Sequence, residues 1–402
     1  MDKQTKEFIQ EHLRDDVILL GLQAKRYPDM DMNIVIRQIA GRQKIKNKIP
    51  LFYKQDDILF PRQLSVEQSS SEITAKYKAK LFNGYTFADL TGGFGVDFYF
   101  ISQNFKSGIY VERDEELCRL ANHNFEVLNI SHFDIHQAKA EDFIVNMPDV
   151  DLIYIDPHRR NHSGKKTVLI SDCEPDVSLL AERMLQKSPV VMIKLSPMLD
   201  IHQAIKELPQ TTEVHIVAVE NECKEILLLL SKRKDNMEVS EKHKGNVLIK
   251  TRNILRSSNY QALDFTLEEE NHTEPAYIDD DPCQYIYEPN AAIMKSGAFK
   301  TVASRFKLKK FHVNSHLYTD GVLKSDFPGR IFQVKDVYGN SKADFRMLKE
   351  KYPKANISTR NYPLSVDDFR KKTGIKEGGD IYLFALKTYS EKYAIIVCNK
   401  VI

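Results

Sequence analysis

From Tyr85 onward, short and almost wholly apolar runs alternate with stretches of helical period. The runs are TFADL, GIYVERD, HFDIHQA, DLIYID, VVMIKLS, EVHIVAVE and KEILLLL, with helical candidates such as DEELCRLANHNFEVLN and DVSLLAERMLQK between the earlier ones. Apolar strands of this length, separated by helices, predict an α/β fold: a mainly parallel, doubly wound, Rossmann-like sheet covered on both faces. The last two runs lie so close together that they predict an antiparallel hairpin at one edge of a seven-stranded sheet. Ahead of them, Val17 to Leu22 and Ile34 to Ile39 carry apolar residues at helical spacing, with Pro28, Pro50 and Pro61 as punctuation. Ser69-x-x-Glu72 has the form of a capping box and predicts a helix over the basic stretch that follows.

After residue 266 the texture changes again. Leu267 to Pro282, LEEENHTEPAYIDDDP, is acidic and poor in aliphatic residues, which predicts a linker. Beyond it come a strand (QYIYEP), a helix (NAAIMKSGAFKTVASRF) and a strand (KKFHVNSHLY). Another strand starts at RIFQVKDVYG. Two helices follow, opened by Ser341/Asp344 and Ser365/Asp368, and a closing pair, DIYLFALKTY and YAIIVCNK. The expected domains are a helical region 1–80, an α/β domain 81–266, the linker 267–282, and two small α/β modules, 283–326 and 327–402.

Composition narrows the class. The 402 residues are 42% hydrophobic and 28% charged, as in ordinary globular proteins, and no window approaches a membrane span. The polar N-terminus MDKQTKEFIQEHLRDD lacks an apolar signal core, and the five cysteines include no CxxC pair. A cytoplasmic protein with reduced thiols and no zinc knuckle is expected. The net charge of +2 hides a split: residues 291–402 hold 22 Lys and Arg against 10 Asp and Glu. An acidic body with a basic tail is the footprint of a polyanion partner, and the alternative is a solvated lysine-rich surface.

The first α/β strand runs into DLTGGFGVDFYF. Gly93 and Gly95 allow backbone N–H groups to approach a ligand closely at the start of the next helix. A dinucleotide site would want a third glycine at position 98, where this chain has Phe98. Asp89, before the loop, would repel a pyrophosphate and welcome an ammonium. Glu112, ending the second strand, is placed to accept two ribose hydroxyls. Ammonium at one end and ribose at the other describe S-adenosylmethionine (SAM) rather than NAD.

On these residues the chain resembles the class I SAM-dependent methyltransferases. DLTGGFGVD, YIDPHRR, IKLSP and NECKE resemble, within them, the methyltransferases with a THUMP-like C-terminal domain. QLSVEQSSSEITAKYKA resembles the segment before their first strand, and KANISTRNYPLSVDDFRKKTGIKEGGDIYLFA resembles that C-terminal domain itself. The resemblance implies a ferredoxin-like module before the THUMP-like one and SAM as cofactor. It implies that Asp89, Gly93 and Gly95 hold the methionine part and Glu112 the ribose, with Asp97 also among the cofactor-binding residues. Lys139 stands where the family usually has an acid facing the adenine, so Asp142 or Glu141 is expected to substitute.

The stretch DLIYIDPHRR delivers Asp156 at a strand end and follows it with His158, Arg159 and Arg160. In a doubly wound sheet ligands sit beyond the carboxyl ends of the strands. Asp156 is therefore expected to face the acceptor and to accept its N–H or its proton. His158 is a second candidate base, weighed against an ordinary loop histidine. Arg159, where related amino-group methyltransferases stack an aromatic, can stack on a base or clamp phosphate. A C5 pyrimidine mechanism needs a thiol after the fifth strand, where this chain has Ser196. Lys194 is expected either on phosphate or on Asp156. His132, Asp134 and His136 are read as a strand edge, with no metal expected.

Arg160, Lys194, Arg330, Arg360 and Lys371 complete the expected RNA contacts, with Phe and Tyr interleaved in a tail that lacks Trp. The expected function is methylation of a base nitrogen of structured RNA, tRNA or rRNA. The rivals are a methyltransferase for protein or a small molecule, and a non-catalytic RNA-binding protein with a vestigial SAM pocket.

Overall fold

The computed structural model describes residues 1–159, 169–232, 246–257, 259–279 and 281–401. It divides into two compact units, Met1–Thr212 with Leu227–Asn236, and Glu213–Ile226 with Met237–Ile402.

The first unit opens with the helices Lys3–Glu11, Val17–Leu22, Met32–Ile45, Pro50–Tyr53, Gln63–Gln68 and Glu72–Ala79. Asp2, Asp16 and Asp31 cap three of them by accepting backbone N–H bonds, and Pro50 occupies the first turn of its helix, where no amide is required. The cap of the last helix is Ser71, which accepts from the Thr74 amide. Ser69, expected in that role, instead donates to the Val66 carbonyl, and Glu72 accepts from the Leu51 amide. A run of three serines leaves the capping register open, and packing selects it. Phe52, Phe60, Val66 and Ala75 form one buried cluster with Phe94, Val96 and Phe100 of the α/β domain. The helical region therefore shares a core with the sheet domain and is not a separate body.

The sheet strands are β1 (Gly84–Asp89), β2 (Phe105–Glu112), β3 (Phe133–Gln137), β4 (Leu152–Ile155), β5 (His158–Arg159), β6 (Cys173–Glu174), β7 (Val190–Leu195), β8 (Thr211–Val219), β9 (Glu222–Ser231), β10 (Leu248–Ile254) and β11 (Tyr260–Thr266). Their order is β11-β10-β8-β9-β7-β4-β1-β2-β3, and β5 and β6 form a separate two-stranded ladder. β1 pairs in parallel with β2 and β4, so Asp89 lies opposite Tyr110 on one side and Tyr154 on the other. Two strands extend the expected seven. The polar residues of LIKTRNI conceal β10: Thr251 and Asn253 are buried, and the Thr251 hydroxyl pairs with the Leu263 backbone. Because β10 pairs in parallel with β8, the β8–β9 hairpin is interior to the sheet and β11 is the edge strand. Glu220 and Asn221 both have positive φ, the twisted two-residue turn that such a hairpin favours.

In the second unit, β12 (Tyr285–Pro289), β13 (Lys309–Lys310), β14 (Tyr318–Asp320), β15 (Gly329–Tyr338), β16 (Lys354–Arg360), β17 (Lys376–Lys387) and β18 (Tyr393–Lys400) form one sheet in the order β13-β14-β12-β15-β18-β17-β16. β12 and β15 pair along five residues, and Ile286, Phe332, Phe384 and Ile396 share a core. The two small modules are thus halves of one continuous sheet. The acidic linker contains a helix, Leu267–His272, docked by Glu269 on Arg305 and by Glu270 on the Lys300 and Thr301 amides.

A buried ionic knot ties the N-terminal helices to the sheet. Lys78, 1% exposed, lies 3.1 Å from Asp97 and 3.1 Å from the Ser70 hydroxyl. Ser70 and Tyr154 each donate to Asp97 at 2.7 Å. Removing one partner of a buried pair leaves an uncompensated charge. Lys78→Met should cost about 3–5 kcal/mol in chemical denaturation, and adding Asp97→Asn should restore much of it. Recovery in the double variant is the informative reading, since simple loss of packing would not be reversed.

In the second unit Glu213 accepts from His215 at 3.2 Å and from Lys250 at 2.7 Å, and the hydrogen bond from His215 leads in holding its pKa at about 2. Its folded pKa lies below the unfolded value, so its contribution is complete above the ordinary glutamate pKa and is lost as pH falls through about 2. Glu213→Gln should flatten that acid limb of the stability profile, measured by denaturation at stepped pH.

Candidate active site

The carboxyl ends of β1, β2 and β4 bring three acids together. Asp89 is 1% exposed and its pKa is raised well above the carboxylate range, first by burial and then by the charges of Asp97, Asp156 and Glu112. Its Oδ1 accepts from the Thr91 amide at 3.0 Å. The Thr91 hydroxyl in turn accepts from the Asp156 amide at 2.7 Å. One threonine in the loop therefore fixes Asp89 and Asp156 relative to each other. The sequence signal for Thr91 is its place between Asp89 and the glycines.

The glycine loop follows. Gly92 packs so closely on Tyr110 that a Cβ would come within 2.0 Å of the ring. Gly95 has φ +82°, and a Cβ there would meet the Phe125 ring at 2.8 Å. At Gly93, φ +54°, a Cβ would make an ordinary contact with the Thr91 carbonyl oxygen at 3.7 Å and meet no clash. The loop is thus packed underneath and approachable at Gly93, where the carbonyl accepts from Tyr110 at 2.6 Å. Glu112 is oriented by two amides, with Gly93 donating to one oxygen at 3.0 Å and Asp114 to the other at 2.9 Å. Phe98 is buried against Phe87 and Phe125, so the position that would be glycine in a dinucleotide site belongs to the core here.

Asp97 faces inward. Burial would raise its pKa, but the charges of Lys78 and Lys194 outweigh it and hold the carboxyl below the usual range. With Ser70, Tyr154 and Lys78 on its oxygens, Asp97 serves the fold beside the site, whereas the resemblance implied a cofactor contact. Asp142 is exposed in the first turn of the helix Ala140–Asn146, which Lys139 immediately precedes.

Asp156 emerges from β4 with its carboxylate 2.5 Å from Lys194 at the end of β7. Of the two roles considered for Lys194, the geometry gives the pairing with Asp156. His158 is exposed, and its Nε2 lies 3.1 Å from the Arg113 guanidinium. Arginine can only donate, so this nitrogen is the acceptor. Arg113 also pairs with Glu174 at 2.5 Å, across the β5–β6 ladder in which His158 lies opposite Glu174 and Arg159 opposite Cys173. Arg113, the residue after Glu112, thus links the second strand end to the loop after Asp156, a role that its sequence position alone did not reveal. Arg160 lies outside the described residues.

The expected RNA contacts divide. Arg330 and Arg360 both bind Glu288, which is 4% exposed, Arg330 through Nε at 2.7 Å and Arg360 at 2.8 Å. Two guanidinium groups neutralising one buried acid have a structural duty that their positions in the sequence did not show. Lys371 is exposed and 3.8 Å from Asp368. Among the described residues there is no cluster of His, Cys, Asp and Glu suited to a metal, and no helix long and apolar enough to cross a membrane.

Residues 285–328 match a ferredoxin-like domain family and residues 329–400 a THUMP domain-like family. The structure superposes on that of a "putative methyltransferase" from Porphyromonas gingivalis W83 with a TM-score of 0.88 and 31% identity, over 100% of both chains. Slighter likenesses, too weak to carry an argument, include M. capricolum TrmK with S-adenosyl-homocysteine (TM-score 0.31, 15% identity, 41% of this chain and 71% of that one). Another is a class I SAM-dependent methyltransferase, also described as putative, from Listeria monocytogenes (TM-score 0.36, 9% identity, 62% and 93%). No protein of curated function matches the chain. With full-length agreement to the Porphyromonas protein and both C-terminal domains matched, the chain belongs to that protein's family, the class I methyltransferases that carry ferredoxin-like and THUMP-like C-terminal domains.

Proposed function

We propose that this protein transfers a methyl group from SAM to a base nitrogen of structured RNA, tRNA or rRNA, in the cytoplasm. The observation that supports it most is the Asp89–Thr91–Asp156 link, which joins a buried acid suited to a cation and a more open acid suited to an acceptor.

The residues present fit SAM. Burial and neighbouring carboxylates make Asp89 costly to ionise alone, so an ammonium group at that strand end would be stabilised there. The absence of close packing over Gly93 supports a ligand's approach to the backbone there, and Glu112 is already oriented by two amides for a ribose. Asp142, or Glu141, is the candidate for the adenine. SAM, when bound, supplies a methyl group activated by a positively charged sulfur.

The chain's own residues then align and dehydrate the acceptor. Asp156, held by Lys194 and Thr91, accepts an N–H of the acceptor and can take its proton. Arg113 occupies the Nε2 lone pair of His158, which favours a positioning role for that histidine and leaves proton transfer to Asp156. The proposed division of labour keeps 1–80 and 81–266 for cofactor and chemistry, 267–282 as a docked connector, and 283–326 with 327–402 for RNA. The basic balance of residues 291–402 supports this, with exposed lysines such as Lys371 as contacts and Arg330 and Arg360 as their scaffold.

Asp156→Ala should lower turnover by about 10²–10⁴-fold while SAM affinity stays within a few fold. Loss of cofactor binding in that variant would contradict the division between Asp89 and Asp156. RNA affinity should fall about 20- to 40-fold between 50 and 200 mM salt if three phosphates are contacted. Filter binding against total RNA reads this directly, and labelled SAM offered to RNA and then to protein separates an RNA acceptor from the rivals.

A further inference from the structure

The second unit holds a cavity of about 650 Å³, within the usual size of small-molecule sites, about 300–1,000 Å³. Its walls include Glu274, Tyr277, Phe299, Lys310, Val313 and His316, none of them in the strand-end carboxylate cluster. Lys310 is 2% exposed, and among the described residues its ammonium has one hydrogen-bond acceptor, the Val313 carbonyl at 3.3 Å. Burial, first of all, lowers its pKa to about 8. The Phe299 ring lies 5.9 Å from that ammonium and stacks on His316 at 3.6 Å between centroids. His316 holds a left-handed backbone, φ +51°, and its Nδ1 is buried without a hydrogen-bond partner among the described residues. Strain and unsatisfied polar atoms gathered around a void point to a ligand.

The charges select its sign. Glu270 accepts from the Lys300 and Thr301 amides while its charge also reaches Lys310, and the Lys300 ammonium, which opposes that charge at Lys310, donates to the Asn271 carbonyl. Glu274, exposed on the wall, works against an anion, but the buried ammonium with a single long contact is the stronger demand. Val313, 51% exposed, adds apolar surface to the wall.

We propose that this cavity is a second ligand site, taking a flat-ringed anion of mononucleotide size, with its charged group on Lys310 and its ring against Phe299 and Tyr277. Uridine 5′-monophosphate, uridine and inorganic phosphate are the probes, titrated into the full chain. The nucleotide should saturate and bind about tenfold or more tightly than either fragment, and Lys310→Met should lose that advantage while SAM affinity is unchanged. Should Lys310→Met fail to fold, the native chain gives a second reading: the nucleotide should slow acylation of Lys310 by acetic anhydride about tenfold, followed by peptide mass spectrometry. Competition by a 5′-phosphorylated uridine trinucleotide would assign the group to an RNA end, and lack of competition to a free metabolite; either result supports the site. No saturable binding of the nucleotide at millimolar concentration, or undiminished acylation in its presence, would overturn it.

Discussion

Negative charge gathered at the ends of buried strands has to be balanced, and much of the first unit is arranged around that requirement. Burial raises the pKa of Asp89, and the charges of Asp97, Asp156 and Glu112 add to it. Lys78 answers Asp97 from the N-terminal helices, and Lys194 answers Asp156 from β7. Glu112 is stabilised by backbone amides instead. Asp89 accepts a backbone amide, and the nearby charges that act on it most are those of Asp97, Asp156 and Glu112. In the proposed function a cationic ligand serves Asp89 as Lys78 serves Asp97 and Lys194 serves Asp156.

That arrangement explains which parts of the site could be read from the chain. Asp89, Glu112 and Asp156 each follow an apolar run, so their placement at strand ends was legible from period and polarity. Gly93 and Gly95 were legible as a tight loop before a helix, and both hold positive φ. Lys78 was not, because a lysine in a basic helical stretch looks solvated, and its burial arises only when Asp97 is folded over it. Thr91 and Arg113 were hidden for a similar reason: each acts across strands, on partners distant in sequence. Asp97 shows the converse, a motif acid whose oxygens are taken up inside the protein.

The C-terminal half was legible in its elements but less so in its architecture. β12, β15, β17, β18 and both Ser-capped helices lie near their sequence signals, including the capping box at Ser341 and Asp344, whereas KKFHVNSHLY holds two short strands, β13 and β14, and β16 stands where no strand was expected. Nothing local shows that β12 pairs with β15, since that register is written in the shared core of Ile286, Phe332 and Phe384. Nor does a basic tail reveal which cations are free to meet a polyanion. Glu288 draws Arg330 and Arg360 to itself, so the positive potential of this unit comes from lysines at its surface and from guanidinium groups that are already positioned.

The central claim is that the strand-end acids form a seat for a positively charged sulfur donor, with Asp89 as its anchor. Calorimetric titration of SAM into the intact protein and into Asp89→Asn tests it most directly. The account predicts a saturable one-to-one heat for the intact chain and an affinity at least about tenfold weaker for the variant. Absence of heat and of any melting shift in the intact protein at millimolar SAM, or equal binding by the variant, would contradict it.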